Sequence, residues 1–142
     1  MDDVRSRDLE IQYKTPEQLV KMRAAGLVVY AALEKMRAAV APGMSTADLD
    51  AIAEDVITSA GAVPSFKGYQ GFPASICSSV NDQIVHAIPS PAAVLAEGDL
   101  ISLDCGAIVD GWHGDAAYTA FVGTGHAPEL IELSREIGRA HV

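Results

Sequence analysis

Cysteine is nearly absent from this chain. Its 142 residues hold two, Cys77 and Cys105, in separate apolar runs whose spacing matches no zinc module and no secreted disulfide scaffold. Each reads as a buried thiol, although one beside a site would line its pocket. Long apolar runs are absent too. The longest, Ala24 to Leu33, is far short of the roughly twenty residues that a membrane-spanning helix needs, so no membrane partner is expected. The amino terminus, Met1-Asp-Asp-Val-Arg-Ser-Arg-Asp8, is charged and lacks the apolar centre of a secretion signal, which leads us to expect a cytoplasmic protein. Positive charge is scarce: 10 Lys and Arg stand against 19 Asp and Glu, a net charge of −9. That balance disfavours nucleic acid or an anionic membrane as a partner held by a broad basic surface. The chain also has no internal repeat, coiled-coil heptad or low-complexity segment.

What is present reads as one α+β domain. About half of the residues are apolar (49%) and a fifth are charged, enough for a sizeable core at this length. Thr15-Pro-Glu-Gln18 predicts a helix start, with Thr15 as N-cap, Pro16 in the first turn and Gln18 closing a capping box. Leu19, Met22, Gly26, Tyr30, Leu33, Arg37 and Val40 recur at helical spacing until Pro42-Gly43, and predict the buried stripe. Lys21, Arg23, Glu34, Lys35 and Arg37 supply a solvated face. Ser45-Thr-Ala-Asp48 opens a second helix with Leu49, Ile52, Val56 and Ala60 on one stripe and Gly61 as its stop. The character then changes. Val63 to Pro91 is rich in Gly, Pro and Ser, with short apolar stretches at Ser75–Val80 and Gln83–Ile88 around a turn at Asn81-Asp82. Ala96-Glu-Gly-Asp99 predicts a tight turn leading into the most patterned part of the chain.

That part is a hairpin. Asp110-Gly111, between two β-prone runs, predicts a two-residue loop with Val109 facing Trp112. Counting outward sets Asp104 opposite Ala117 and Gly106 opposite Asp115. The two aspartates are then diagonal neighbours on one face, with Cα atoms roughly 7–8 Å apart. Alternation assigns Ile101, Leu103, Cys105, Ala107, Val109, Trp112, Ala116, Tyr118, Ala120 and Val122 to the opposite, apolar face. Converging carboxylates repel unless they are protonated or hold a cation. A solvated polar face and a metal site both satisfy this pattern. The small residues Gly106, Gly114 and Ala117 leave room around the pair and favour the metal.

The flanking stretches carry a resemblance. Gly68-Tyr-Gln-Gly-Phe-Pro-Ala-Ser-Ile-Cys-Ser-Ser-Val-Asn-Asp-Gln-Ile-Val-His-Ala-Ile-Pro89 resembles the signature stretch of type I methionine aminopeptidases. Asp104-Cys-Gly-Ala-Ile-Val-Asp-Gly-Trp-His-Gly-Asp115 resembles the hairpin that carries their first two metal ligands, and Thr15 to Gly26 resembles the start of their catalytic domain. The resemblance runs from about residue 11 to about residue 135 of a single partial domain. It implies the first half of a pita-bread fold, two helices plus antiparallel strands, that removes the amino-terminal methionine of nascent peptides. It further implies two divalent cations (Co, Mn, Fe(II) or Zn) held by two aspartates, one histidine and two glutamates. Asp104 would bind one cation and Asp115 would bridge both, lowering the pKa of a shared water and polarising the scissile carbonyl.

The same resemblance gives His86 a catalytic and substrate-binding role as a donor near the scissile amide. Without it, His86 would read as a structural histidine. Phe66, Tyr69, Phe72 and Cys77 would line a soft apolar pocket for methionine; Phe66 and Phe72 are larger than the residues some family members carry there. His113 lies on the aspartate face, either orienting a carboxylate or as plain surface, and His126 falls in an expected loop. Nascent chains, met at the ribosome, would be the partners, and the full-length form would be a monomer.

The other histidine and both glutamates of the family's ligand set lie beyond this sequence. Glu129, Glu132 and Glu136, in or near a helical pattern from Pro128 to Glu136, are in the wrong place to replace them. The chain is therefore expected to be inactive on its own. Glu136-Ile-Gly-Arg-Ala-His-Val142 can be encoded by the start of a widely used sequencing adapter, which predicts a non-native tail at 136–142. Two other functions compete. A catalytically dead pita-bread domain that binds peptides would be expected to lose metal-site residues, yet Asp104, Asp115 and His86 are present. A prolidase-like peptidase of the same fold is disfavoured by the Gly68–Pro89 stretch.

Overall fold

The computed structural model describes residues 11–124 together with 129 and 132. The tail predicted at 136–142 lies outside them, as does His126. Two helices come first: α1 spans Pro16–Ala39 and α2 spans Thr46–Ser59. Both start as their sequences predict. Thr15 Oγ1 accepts from the Gln18 amide at 3.3 Å while Gln18 Oε1 accepts from the Thr15 amide at 2.9 Å. Ser45 and Asp48 repeat the reciprocal cap on α2, at 3.2 and 3.0 Å. Each box satisfies two amides that the first helical turn cannot pair internally.

Four strands follow: β1 (Val63–Pro64), β2 (Ile76–Val80), β3 (Leu100–Val109) and β4 (Trp112–Phe121). β3 is the centre of the sheet. Along one edge it pairs with β4 over its whole length, in the register read from the sequence: Asp104 opposite Ala117, Gly106 opposite Asp115, Val109 opposite Trp112. Asp110 (φ 50°) and Gly111 (φ 80°) supply the two left-handed residues that a type I′ loop requires. Along its other edge β3 is shared. β2 pairs with residues 101–105 and β1 with residues 107–108, both antiparallel. The chain between β1 and β2 leaves the sheet and returns, with one short 3-10 turn at Tyr69–Gly71.

The helices cover the apolar face of the sheet. Val29 and Met36 of α1, Leu49 and Ile57 of α2, and Ile76, Ile101, Leu103 and Val122 form the fully buried centre. Three expectations need correction here. The buried stripe of α1 is Ala25, Val29, Ala32, Leu33 and Met36, whereas Leu19 and Tyr30 are 53% and 62% exposed. α1 is apolar on more than one side, so spacing alone could not choose a face. Small residues do, because α1 lies against the backbone of β4. A Cβ at Gly114 would stand 2.6 Å from the Ala25 carbonyl carbon and the Gly26 nitrogen. Gly114, opposite Ala107, therefore makes room for a helix and not for a ligand beside the aspartates.

On α2 the buried stripe is Leu49, Ala53 and Ile57, with Ile52 and Val56 flanking it and Ala60 exposed. The apolar stretch Gln83–Ile88 lies outside the sheet. Ile84 and Val85 are 87% and 65% exposed, and the segment touches β2 through the Ser78 amide on the Ala87 carbonyl at 3.0 Å.

Candidate metal centre and its pocket

Alternation sets Asp104 and Asp115 on the face of the sheet turned away from the helices. Cys77 of β2 stands opposite Asp104 on the neighbouring strand, so Cys77, Asp104 and Ala117 form one cross-strand row. Gly106 and Asp115 form the adjacent row, and Ser102 and Thr119 another, where the two hydroxyls meet at 2.8 Å. The segment between β1 and β2 folds over this face. Gly106 lets it approach: a Cβ there would collide with Ser65 Oγ and lie 2.8 Å from Phe66 Cε1, while the Gly106 carbonyl accepts from the Ser65 amide at 3.0 Å.

The result is a cavity of about 550 Å³ lined by Phe66, Tyr69, Phe72, Cys77, His86, Asp104 and Asp115, with Gln70, Gly71, Pro73 and Ile88 completing its wall. All seven residues singled out in the sequence thus meet around one space. The four added wall residues lie within the Gly68–Pro89 stretch but were not singled out, because irregular backbone leaves no period that assigns them to a face. Phe66 and Phe72 are half-buried, Tyr69 and His86 exposed. His86 has φ 60°, a left-handed conformation uncommon outside glycine, and one often found at functional positions. His113 is opposite Ile108 near the hairpin end and does not line the cavity.

Electrostatics give the aspartates their character. Oδ1 of Asp104 is buried with no hydrogen-bond partner among the described residues, a costly state for an acceptor. Burial, then the neighbouring Asp115 charge, pushes the Asp104 carboxyl above the usual range, while His86 pulls the other way. Burial and the same two carboxylates push the Cys77 thiol to about 11. It is therefore a neutral wall at physiological pH and not a thiolate ligand. A divalent cation would remove both penalties at Asp104, since it supplies the missing partner and offsets the repulsion. Two carboxylates with no thiolate form a hard, oxygen-rich donor set. Among the described residues no group of three or more His, Cys, Asp or Glu converges as a complete ligand set. Glu129 and Glu132 are exposed helical positions. The pair fits a cation as part of a larger set.

Comparisons with known proteins give the family and the fold. Residues 20–141 match the model of metallopeptidase family M24. Methionine aminopeptidase 1 of Mycobacterium tuberculosis is 60% identical over 128 residues, which are 89% of this chain and 48% of the relative. The crystal structure of methionine aminopeptidase from Thermotoga maritima superposes with a TM-score of 0.86 at 37% identity, over 90% of this chain and 52% of that one. A prolidase from Pyrococcus furiosus shares the fold, with a TM-score of 0.68 at 21% identity over 80% of this chain and 32% of its own. The chain thus spans about half the length of the methionine aminopeptidases it matches. Its two capped helices and antiparallel sheet are the corresponding half of a pita-bread fold. By the match along most of its length, the chain belongs to metallopeptidase family M24.

Proposed function

We propose that this chain supplies the first half of the catalytic domain of a methionine aminopeptidase, which hydrolyses the amino-terminal methionine from nascent polypeptides in the cytoplasm. One observation carries the reading: Asp104, one of whose carboxylate oxygens is buried without a partner among the described residues, lines with Asp115 a cavity with aromatic walls. Asp104 and Asp115 would hold divalent metal, with further ligands from the other half of the domain. A metal held by Asp104 and Asp115 would supply Lewis-acid chemistry, lowering the pKa of a water and polarising the scissile carbonyl.

The remaining roles fall to the residues around it. Phe66, Tyr69, Phe72 and the neutral Cys77 thiol offer polarisable, apolar walls suited to an unbranched thioether. His86, at the cavity wall and close enough to Asp104 to act on its charge, would donate a hydrogen bond to the substrate as negative charge builds on the amide being cleaved. The aromatic walls would also exclude water from the side-chain end of the substrate.

Two measurements test this. Titration of Co(II) or Mn(II) into the 142-residue chain should give weak binding that Asp104→Ala abolishes; equal binding by wild type and variant would remove the metal from this pair. The 142-residue chain alone, with two carboxylates of the proposed ligand set, should not release methionine from a Met-Ala-Ser peptide. Measurable turnover by the purified chain would overturn that point.

A further inference from the structure

The pocket wall is irregular, yet its ends are tied down from outside the site. Within the segment, the backbone hydrogen bonds are local: Tyr69 to Phe66 at 3.0 Å, Phe72 to Tyr69 at 2.9 Å, and Gly68 to Phe72 at 2.7 Å. Such bonds shape the segment without fixing where it sits. At its start the Ser65 amide is held by the Gly106 carbonyl of β3 at 3.0 Å, and two acidic side chains of α2 add ties at both ends from the helix layer. At the far end, Oδ1 of Asp50 accepts from the amides of Ser75 and Ile76, at 2.8 and 3.0 Å. Glu54, one helical turn on, accepts from the Ser75 hydroxyl at 3.2 Å through Oε2. Through Oε1 it reaches the near end, pairing with Lys67 Nζ at 2.6 Å. Lys67 adjoins Phe66, and Ile76 adjoins Cys77, so each tie lies next to a wall residue of the cavity.

We propose that Asp50 and Glu54 are positioning residues for the pocket: they grip the 65–76 segment at both ends and so set the distance between its aromatic side chains and the aspartate face. Neither carboxylate lines the cavity. They act through the segment. Hydrogen bonds to a charged acceptor are the stronger kind, so loss of one tie should shift local opening of the segment about tenfold without unfolding the domain. Because the occupant of the pocket is the methionine side chain of the proposed function, that part of the inference rests on the previous reading.

The two thiols provide a test. Cys77 is in the cavity wall, whereas Cys105 is fully buried on the opposite, helix-covered face and reports unfolding of the sheet. Because the Asp50 charge also raises the Cys105 thiol, the Asp50→Ala rates are compared with those of the equally uncharged Asp50→Asn. Alkylation of both by N-ethylmaleimide, with a chelator present, is followed by mass spectrometry in the 142-residue chain. Asp50→Ala and Lys67→Met should each speed labelling of Cys77 about tenfold relative to Cys105, while Asp50→Asn, which keeps the acceptor oxygen but loses the charge, falls between wild type and Asp50→Ala. An unchanged Cys77 rate, or Cys77 and Cys105 rising together in both variants, overturns the proposal. Methioninamide should protect Cys77 in the wild-type chain and protect it less in Asp50→Ala. If it protects in neither while the two thiols still separate, the methionine reading fails and the clamp stands.

Discussion

At the scale of single residues, glycines and carboxylates decide where the backbone can go. Gly114 is in contact with the backbone of α1, with no room for a Cβ. Gly114→Ala should destabilise the fold by about 1–3 kcal/mol, measured by urea unfolding, because neither the helix nor the strand can yield alone. Asp99 makes a different argument. It accepts from Asn81 Nδ2 at 2.9 Å and from the Ala96 amide at 2.8 Å, and these bonds hold its carboxyl below the usual range. A depressed acid stabilises the folded state when ionised. Its contribution is complete above the ordinary value of 3.8 and is lost as pH falls through the lower, folded value. The thermal stabilities of wild type and Asp99→Asn should therefore differ at neutral pH and converge on acidification below that window.

At the scale of elements, the legible parts were those with strict periods and end signals. The capping boxes at Thr15 and Ser45 and the Asp110-Gly111 loop each name a local geometry, and period-two alternation carried the register from that loop to the aspartates. α1 was harder. Leu19, Val20, Leu27 and Tyr30 are exposed apolar residues on it, so the helical period was present without a unique phase. Its contact face depends on Ala25, Ala32 and a glycine on another strand, information that no window along the helix contains. The 65–75 segment was legible only as a resemblance, since irregular backbone leaves no period to count. Asp50 and Glu54 give no signal along the helix, because their partners are 13 to 26 residues away in sequence.

At the scale of the whole molecule, the described residues leave much apolar surface and one long strand edge unpaired. β4 pairs only with β3 among them, and Ile84, Val85 and the cavity-wall residue Ile88 are exposed to solvent. Unpaired edges template association between copies. The 142-residue chain should associate reversibly at about 10–100 μM, seen as a rising weight-average mass in sedimentation. A lysine at Ala117 (Ala117→Lys), in mid-strand on β4, should reduce it.

β1 and β2 take up consecutive stretches of one edge of β3, at residues 107–108 and 101–105. The intervening residues are an excursion whose two feet are planted on the same neighbour. Its contour length is therefore uncoupled from the register of every strand: a residue gained or lost around Tyr69–Gly71 changes the loop and leaves the sheet in step. Insertions or deletions there should therefore change the breadth of the pocket without altering the scaffold that presents Asp104 and Asp115.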